Sequence, residues 1–181
     1  MGKYDKEVKQ EITELKKIYS SPAVDGDVFS PKEIYDNLKS NILREVYIPD
    51  MLVCLVNIKD NLHTSAVNIL IDDAIEALGE QMYKPYDLIP QINQLIVYLI
   101  KVLDKQYTME KIMQSVWHIY ITKNAEYGDV WYKRHSVGIC LDMGRKIVRI
   151  ANGNKDADTA FDLLLYCVFL KVYLLHIENG E

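Results

Sequence analysis

Charged side chains whose spacing could serve phosphate or metal chemistry are concentrated between Lys123 and Asp162. Asp158 and Asp162 are four residues apart, so a helix would present both carboxylates on one face. Lys146 and Arg149 are three residues apart, and together they could clamp a phosphate group. This segment therefore predicts cations placed for phosphate and carboxylates placed for a metal ion.

A turn lies near the start of the same segment. Glu126 and Asp129 flank Gly128, which allows the backbone to turn at the end of a helix. The neighbouring rings of Tyr127 and Trp131 are large enough for a nucleobase to stack on. The turn is therefore a second candidate for contact with a ligand.

Each of these features also has a purely structural interpretation. Asp158 could stand at the start of a helix, where the helix dipole favours negative charge. Lys146 and Arg149 could belong to a solvated face, and Tyr127–Asp129 could simply end a helix. Asp162 is harder to explain in this way, because it lies one turn further in, between two apolar residues.

The composition is that of a globular protein and excludes one class of partner. The 181 residues are 49% apolar and 26% charged, which suits a single domain with a sizeable core. The formal net charge is -5, whereas a protein that binds a nucleic-acid duplex needs a basic face. A duplex is therefore not an expected partner, although a few cations in one pocket suffice for a small anionic ligand.

The cysteines and the apolar runs predict a soluble, cytoplasmic protein that does not enter a membrane. Cys54, Cys140 and Cys167 are far apart and each lies in an apolar run, so we expect three buried, reduced thiols. The N-terminal stretch has no signal-like apolar core. No run reaches about 18 uninterrupted apolar residues, and the longest candidate, Leu163–Ile177, contains a lysine and a histidine.

Apolar residues recur at helical spacing along most of the chain, and no alternating strand pattern is longer than about four residues. The sequence therefore predicts an all-α helical bundle. Ser30, Pro31 and Glu33 form a typical helix start, and Pro49 is expected to interrupt or end that helix. The predicted helices span residues 4–19, 30–47, 50–60, 64–82, 87–105, 108–124, 136–150 and 156–177.

We divide the chain into an N-terminal helix and linker, residues 1–29, and one helical domain, residues 30–181. The domain has a degenerate first half, residues 30–106, and a motif-bearing second half, residues 107–181. The halves are weakly similar: Gln94–Ile100 resembles the segment 68 residues later, and Ile69–Asp72 resembles the one 70 residues later. A true duplication would make the protein two tandem helical-hairpin repeats.

Three short motifs in the second half, within about residues 118–172, resemble the nucleotide modification associated domain of phage proteins. They are Lys123-Asn124-Ala125-Glu126-Tyr127-Gly128-Asp129, then Lys146 with Arg149, then Asp158-Thr159 with Asp162-Leu163 and Tyr166. The order matches the family pattern, and Arg145 departs from it where an acidic residue usually precedes the lysine. The resemblance implies a phage-type protein of the host cytoplasm that handles a nucleotide.

A weaker resemblance connects the chain with the MazG-like all-α nucleoside triphosphate pyrophosphohydrolases. Their pattern has five acids over two helices, and neither half of this chain retains all five. The family implies a magnesium-dependent hydrolase, because magnesium needs several hard oxygen ligands and helps to generate the attacking hydroxide. It also implies a homo-oligomer, since bundles of this type usually pair.

Our prediction is a protein that binds a nucleotide, with hydrolysis of a triphosphate at its pyrophosphate as the enzymatic form of that function. In this scheme Glu126 and Asp162 are catalytic, and magnesium is held by Glu126, Asp158 and Asp162. The nucleotide-binding residues are Lys123, Asn124, Tyr127, Gly128, Asp129, Trp131, Lys146 and Arg149. Because the acidic set is incomplete, the alternative is a non-catalytic phage sponge that sequesters a signalling nucleotide in an anti-defence role. A further alternative is a helical protein-interaction module.

Overall fold

The computed structural model of the chain describes residues 2–21, 30–61, 65–82, 88–153 and 156–177, without the side chains of residues 45–47, 65–67, 79–82 and 177. These residues form seven α-helices and no strand, so the prediction of an all-α helical bundle is confirmed. The helices are α1 (Asp5–Tyr19), α2 (Pro31–Asn61), α3 (Ser65–Met82), α4 (Leu88–Leu103), α5 (Met109–Tyr127), α6 (His135–Ala151) and α7 (Ala157–Val172). A 3-10 turn, Asp129–Arg134, joins α5 to α6, and a π-helical turn, Tyr173–Ile177, follows α7.

Contacts divide the chain into two compact units. The first unit comprises Met1–Lys39 and Leu88–Glu181, and the second unit is Ser40–Asp87. This division differs from the predicted one, because α1 belongs to the same unit as the motif-bearing half. The tandem repeat and the MazG-like arrangement stay predictions.

Helix α7 is the centre of the first unit. It packs against α1, α4, α5 and α6, and most of its residues are buried. Within the described residues, Ala157–His176 is also the one stretch long and apolar enough to cross a membrane, but 72% of its most apolar window is buried inside the protein. That burial is typical of the core helix of a soluble protein.

An ion pair within the core connects α1 to α7. The Lys171 Nζ lies 2.7 Å from the Glu11 Oε2, and the two side chains are only 7% and 6% exposed. Two charges are retained away from water only when they neutralise each other. Helix α1 is therefore an integral part of the first unit.

The local signals for helix starts are confirmed, whereas one proline was misinterpreted. The Glu33 carboxylate accepts a hydrogen bond from the Ser30 N–H at 2.8 Å, and the Ser30 hydroxyl accepts one from the Glu33 N–H at 3.2 Å. Pro49, however, lies inside α2, which continues to Asn61. The proline removes one backbone donor, but the helical turns on both sides continue. The linker is predicted over residues 20–30, and residues 22–29 of it lie outside the described residues.

The second unit exposes apolar side chains. Its two helical segments are joined by an ion pair between Lys59 and Asp72. Cys54 is exposed, so the prediction of three buried cysteines is correct for Cys140 and Cys167 and wrong for Cys54. Two helices bury only the faces that they turn toward each other. Six large apolar side chains of this unit are 44–69% exposed: Met51, Val53, Val56, Ile58, Ile69 and Leu70.

Candidate functional site

The predicted turn after α5 forms as expected. Thr108 caps the start of this helix by accepting a hydrogen bond from the Lys111 N–H at 3.3 Å. At its other end Gly128 adopts a φ of 62°, and its N–H donates to the Asn124 carbonyl at 2.8 Å. A positive φ costs glycine nothing, because glycine has no Cβ. The glycine therefore ends α5 and starts the 3-10 turn.

The 3-10 turn places Trp131 against the core. The indole ring is nine-tenths buried and stacks on Phe169 of α7, with ring centroids 4.4 Å apart and an interplanar angle of 5°. Tyr4, just before α1, meets the same indole edge-on at 5.7 Å. These contacts hold the turn between α1 and α7 and fix the orientation of the tryptophan.

A cavity of about 320 Å³ opens between α5, the 3-10 turn, α6 and α7. Its walls are mainly aromatic and apolar, and charged side chains occur among them. The lining residues are Tyr120, Lys123, Asn124, Tyr127, Gly128, Val130, Trp131, Arg134, Ile139, Asp142, Tyr166 and Phe169. Cavities with mostly apolar walls and a few polar groups are the usual form of small-molecule sites.

Asp162 of α7 lies between two lysines. Its Oδ1 accepts a hydrogen bond from Lys123 Nζ at 2.7 Å, and its Oδ2 accepts one from Lys146 Nζ at 2.6 Å. Burial acts to raise the pKa of Asp162, but the two ammonium groups outweigh it and the pKa lies below its usual value. The carboxylate therefore stays charged and holds α5 and α6 together.

The ring of Tyr166 connects this charged cluster with the cavity. Lys123 Nζ and Lys146 Nζ lie 6.0 Å and 5.7 Å from the centroid of the ring, which is itself part of the cavity wall. Burial, reinforced by the carboxylates of Asp142 and Asp162, raises the pKa of the Tyr166 phenol. The tyrosine is therefore neutral at physiological pH, and both ammonium groups lie at the border of the cavity.

A second ion pair lies in the cavity wall. Arg134 Nη1, at the end of the 3-10 turn, is 2.6 Å from Asp142 Oδ2 of α6. The arginine side chain is half exposed and the aspartate is mostly buried. The arginine therefore neutralises the carboxylate while it still faces solvent.

Two buried polar atoms around the cavity have no hydrogen-bond partner in the protein. They are the Trp131 Nε1–H, a donor, and the Asn124 Oδ1, an acceptor. An unmade hydrogen bond at a buried polar group costs about 1–3 kcal/mol. Both atoms are shielded from solvent, so they do not face the open space of the cavity.

Helix α1 and the residues before it support the site, a role that the sequence did not indicate. The Tyr120 hydroxyl donates to Asp5 Oδ1 at 2.7 Å, and Asn124 Nδ2 donates to the Tyr120 hydroxyl at 3.4 Å. The Lys3 N–H donates to the carboxylate of Asp129. Residues more than 100 positions earlier therefore fix the turn after α5.

The structure brings most of the predicted nucleotide-binding residues to one place. Lys123, Asn124, Tyr127, Gly128 and Trp131 line the cavity. Lys146 does not line it, but its Nζ lies 5.7 Å from the centroid of the Tyr166 ring in the cavity wall. Asp129 lines a neighbouring cavity that shares Asn124 and Gly128. Arg149 is exposed and does not line the cavity, so the expected clamp of Lys146 and Arg149 is not formed at this site.

The three acids predicted to hold magnesium do not assemble. Glu126 is exposed beside Tyr127, and Asp158 lines a separate groove with Lys111 and His118. Throughout the part of the chain that the structure describes, no group of three histidine, cysteine, aspartate or glutamate side chains could hold a metal ion. Both Asp162 oxygens already bind lysine ammonium groups. These residues do not fit a magnesium ion of the expected kind.

Several lining residues were not among the predicted ones, notably Tyr120, Arg134, Asp142 and Phe169. Asp142 could have been identified from the sequence, because it follows the apolar Ile139–Leu141 in α6 and so places a carboxylate beside an apolar run. Tyr120 and Phe169 resemble ordinary core aromatics, and only the fold reveals that they border a cavity.

Comparison with known proteins gives no assignment: no family model matches the chain, and no curated protein or solved structure is significantly similar to it.

Proposed function

We propose that the first unit binds a nucleotide, with the base in the aromatic cavity and phosphate at Lys123 and Lys146. The observation that carries the proposal is the Tyr166 ring, which forms part of the cavity wall and lies about 6 Å from both ammonium groups. A flat aromatic slot beside a pair of cations is complementary to a ring attached to an anion.

The base end is suited to a heteroaromatic ring rather than a hydrocarbon ring. Trp131 and Phe169 stack on each other, so the indole is held rigid at the cavity. Asn124 and Tyr127 of the cavity wall carry an amide and a hydroxyl group, which supply hydrogen-bond donors and acceptors. Nucleobases carry both kinds of group on their edges, whereas a phenyl ring carries neither.

The phosphate end has an excess of positive charge. Lys123 and Lys146 share one carboxylate, so this cluster has one uncompensated positive charge. The resemblance to the nucleotide modification associated domain points to the same ligand class. Lys123 and Tyr127 of the first matching motif and Tyr166 of the third line the cavity. Lys146 of the second motif lies 5.7 Å from the centroid of the Tyr166 ring.

Binding without hydrolysis is the form of this function that we favour. Hydrolysis of a triphosphate by the MazG-like route depends on clustered carboxylates, and the described residues hold no such cluster. The favoured role is therefore sequestration of a nucleotide, as in a cytoplasmic phage sponge. The magnesium-dependent enzyme stays the alternative prediction.

One experiment tests binding and hydrolysis together. Purified protein is incubated with magnesium and a panel of nucleoside mono-, di- and triphosphates and cyclic nucleotides. The bound ligand is then released by denaturing the protein and identified by mass spectrometry. Recovery of an intact nucleotide supports the sponge, whereas release of pyrophosphate or monophosphate supports the enzyme. If no nucleotide is retained, the proposal is wrong.

A matched pair of lysine variants localises the binding. Both lysines are on α5, but Lys123 lines the cavity and Lys111 does not. Lys123→Ala is expected to weaken binding of the retained nucleotide about tenfold or more, because a charge-assisted hydrogen bond is lost. Lys111→Ala is expected to change it less than twofold. Equal effects of the two substitutions contradict the proposed position.

The second unit supports the predicted homo-oligomer. Six exposed large apolar side chains in one small unit are typical of a surface that another chain covers. A second copy of this protein is the partner that we propose. The same residues are the one observation that favours the protein-interaction module as a second candidate function.

A further inference from the structure

The size of the cavity limits the ligand. Its volume of about 320 Å³ is at the lower end of the range of about 300–1,000 Å³ that ligand cavities span. A cavity of this size accommodates one base with its sugar. Phosphate groups beyond the first would have to lie outside it, over the surface.

The charges at the border of the cavity limit the number of phosphate groups on the ligand more strongly than the volume does. Five charged side chains form two ion-pair clusters, which we treat together as one group: Lys123, Asp162 and Lys146 in one, and Arg134 with Asp142 in the other. Lys123, Arg134 and Asp142 line the cavity, and the other two are joined to it through Lys123. Arg134 is neutralised by its own aspartate, and the two lysines share the other. The net charge of this group is therefore one positive charge.

A phosphate monoester carries about -1.5 to -2 charges near neutral pH. One such group, held by the two lysine donors, already more than compensates the single surplus positive charge. A triphosphate brings further negative charges that meet Asp142 and Asp162, and no uncompensated cation of the group remains for them. Like charges near a partly buried carboxylate are repelled.

We infer that the ligand of this site is a nucleoside monophosphate rather than a nucleoside triphosphate. This inference rests on the proposed function and names its ligand class. Lys123 and Lys146 bind the one phosphate, and Asp162 keeps the two lysines at the correct separation until the ligand arrives.

Calorimetric titration in metal-free buffer tests the inference. The probes are AMP, GMP, CMP and UMP, together with the nucleoside and the triphosphate of each base. For the base that binds tightest, the affinities of the nucleoside, the monophosphate and the triphosphate are compared. We expect the monophosphate to bind about tenfold tighter than its nucleoside and the triphosphate to bind no tighter than the monophosphate. A triphosphate that binds more than threefold tighter than its monophosphate overturns the inference but leaves nucleotide binding intact. Absence of binding by every probe overturns the proposed function itself.

A charge variant gives a second, independent result. Asp162→Asn raises the net charge of the group by one, so the affinity for triphosphate relative to monophosphate is expected to rise about tenfold. Asp142→Asn makes the same change next to Arg134, in case the first variant folds poorly. Asp36→Asn is the matched control, since this aspartate pairs with Lys32 on the surface of α2 and does not line the cavity. An unchanged ratio in folded Asp162→Asn and Asp142→Asn contradicts the charge-matching explanation.

Discussion

The two units use the apolar residues of their helices in opposite ways. In the first unit, α4 buries half of its residues, and Cys140 and Cys167 are buried in α6 and α7. In the second unit, α3 exposes Ile69 and Leu70 by 62% and 69%, and Cys54 is exposed in α2. An apolar sequence therefore predicts a helix in both units, but in the second unit it leaves large apolar side chains exposed.

The difference follows from the number of neighbours that each helix has within its own unit. Helix α7 is surrounded by α1, α4, α5 and α6, so apolar residues on all of its sides are covered. The second unit contains two helical segments, and a helix with one neighbour covers one face. Burial in the first unit gives a rigid support for the cavity, and exposure in the second leaves a surface for a partner.

The largest expected difference between the two units is in how much their ion pairs contribute to the free energy of unfolding. Lys171→Ala leaves the Glu11 carboxylate buried without a partner, which is expected to lower the free energy of unfolding by about 3–5 kcal/mol. Lys59→Ala, in the exposed pair with Asp72, should lower it by less than about 1 kcal/mol. Urea denaturation of both variants measures the two values. Similar losses would show that the first pair is not buried as described.

A pair of leucine substitutions makes the same comparison for apolar packing. Leu164 is fully buried in α7, and Leu70 is 69% exposed in α3. Leu164→Ala should lower the free energy of unfolding by about 2–5 kcal/mol, because it leaves a cavity in the core. Leu70→Ala should change it by less than about 0.5 kcal/mol in the dissociated chain. A large loss for Leu70→Ala at low protein concentration would contradict the exposure of α3.

Association should depend on the second unit alone. Leu70→Glu places a charge within the exposed apolar set and is expected to shift the protein toward monomer in light scattering after size exclusion. Leu141→Glu is the control, because Leu141 is 52% exposed on α6 of the first unit. If both variants, or neither, change the measured mass, the second unit is not the surface of association.

The smallest expected effect concerns the pH dependence of the first unit. The pKa of Asp162 is below its usual value of 3.8, so the unfolded chain takes up the proton first as the pH falls. Asp162 therefore stabilises the fold above pH 3.8, and this stabilisation is lost as the pH falls below that value. The difference in free energy of unfolding between the wild type and Asp162→Asn should shrink in that range. A difference that is independent of pH would contradict the double lysine contact.

Local sequence signals predicted the helices well, because caps and breakers act over a few residues. The Ser30–Glu33 capping box and the Gly128 turn occur as expected, and the helix predicted from residue 108 begins after the Thr108 cap. Pro49 was misjudged because the helical turns on both sides of it outweigh the loss of one donor. The exposure of Cys54 could not be predicted either, since it depends on the number of neighbouring helices.

The site was predictable only in part, because residue types can be read from the sequence but the packing of the helices cannot. Lys123, Lys146 and Asp162 were recognised from residue type and spacing, and they do meet. Their arrangement, two lysines around one carboxylate, depends on how α5, α6 and α7 pack. The support from Asp5 through Tyr120 joins residues 115 positions apart, and no local pattern contains it.

The most direct test of nucleotide binding in the first unit uses its tryptophans. The chain has two, Trp117 and Trp131, so its NMR spectrum contains two indole N–H signals, and Trp131→Phe identifies the one from the cavity. Addition of the nucleoside monophosphate that binds tightest should shift the Trp131 signal strongly, because this indole is part of the cavity wall, and the Trp117 signal little. Nucleotide binding that leaves the Trp131 signal in place would contradict the proposed site.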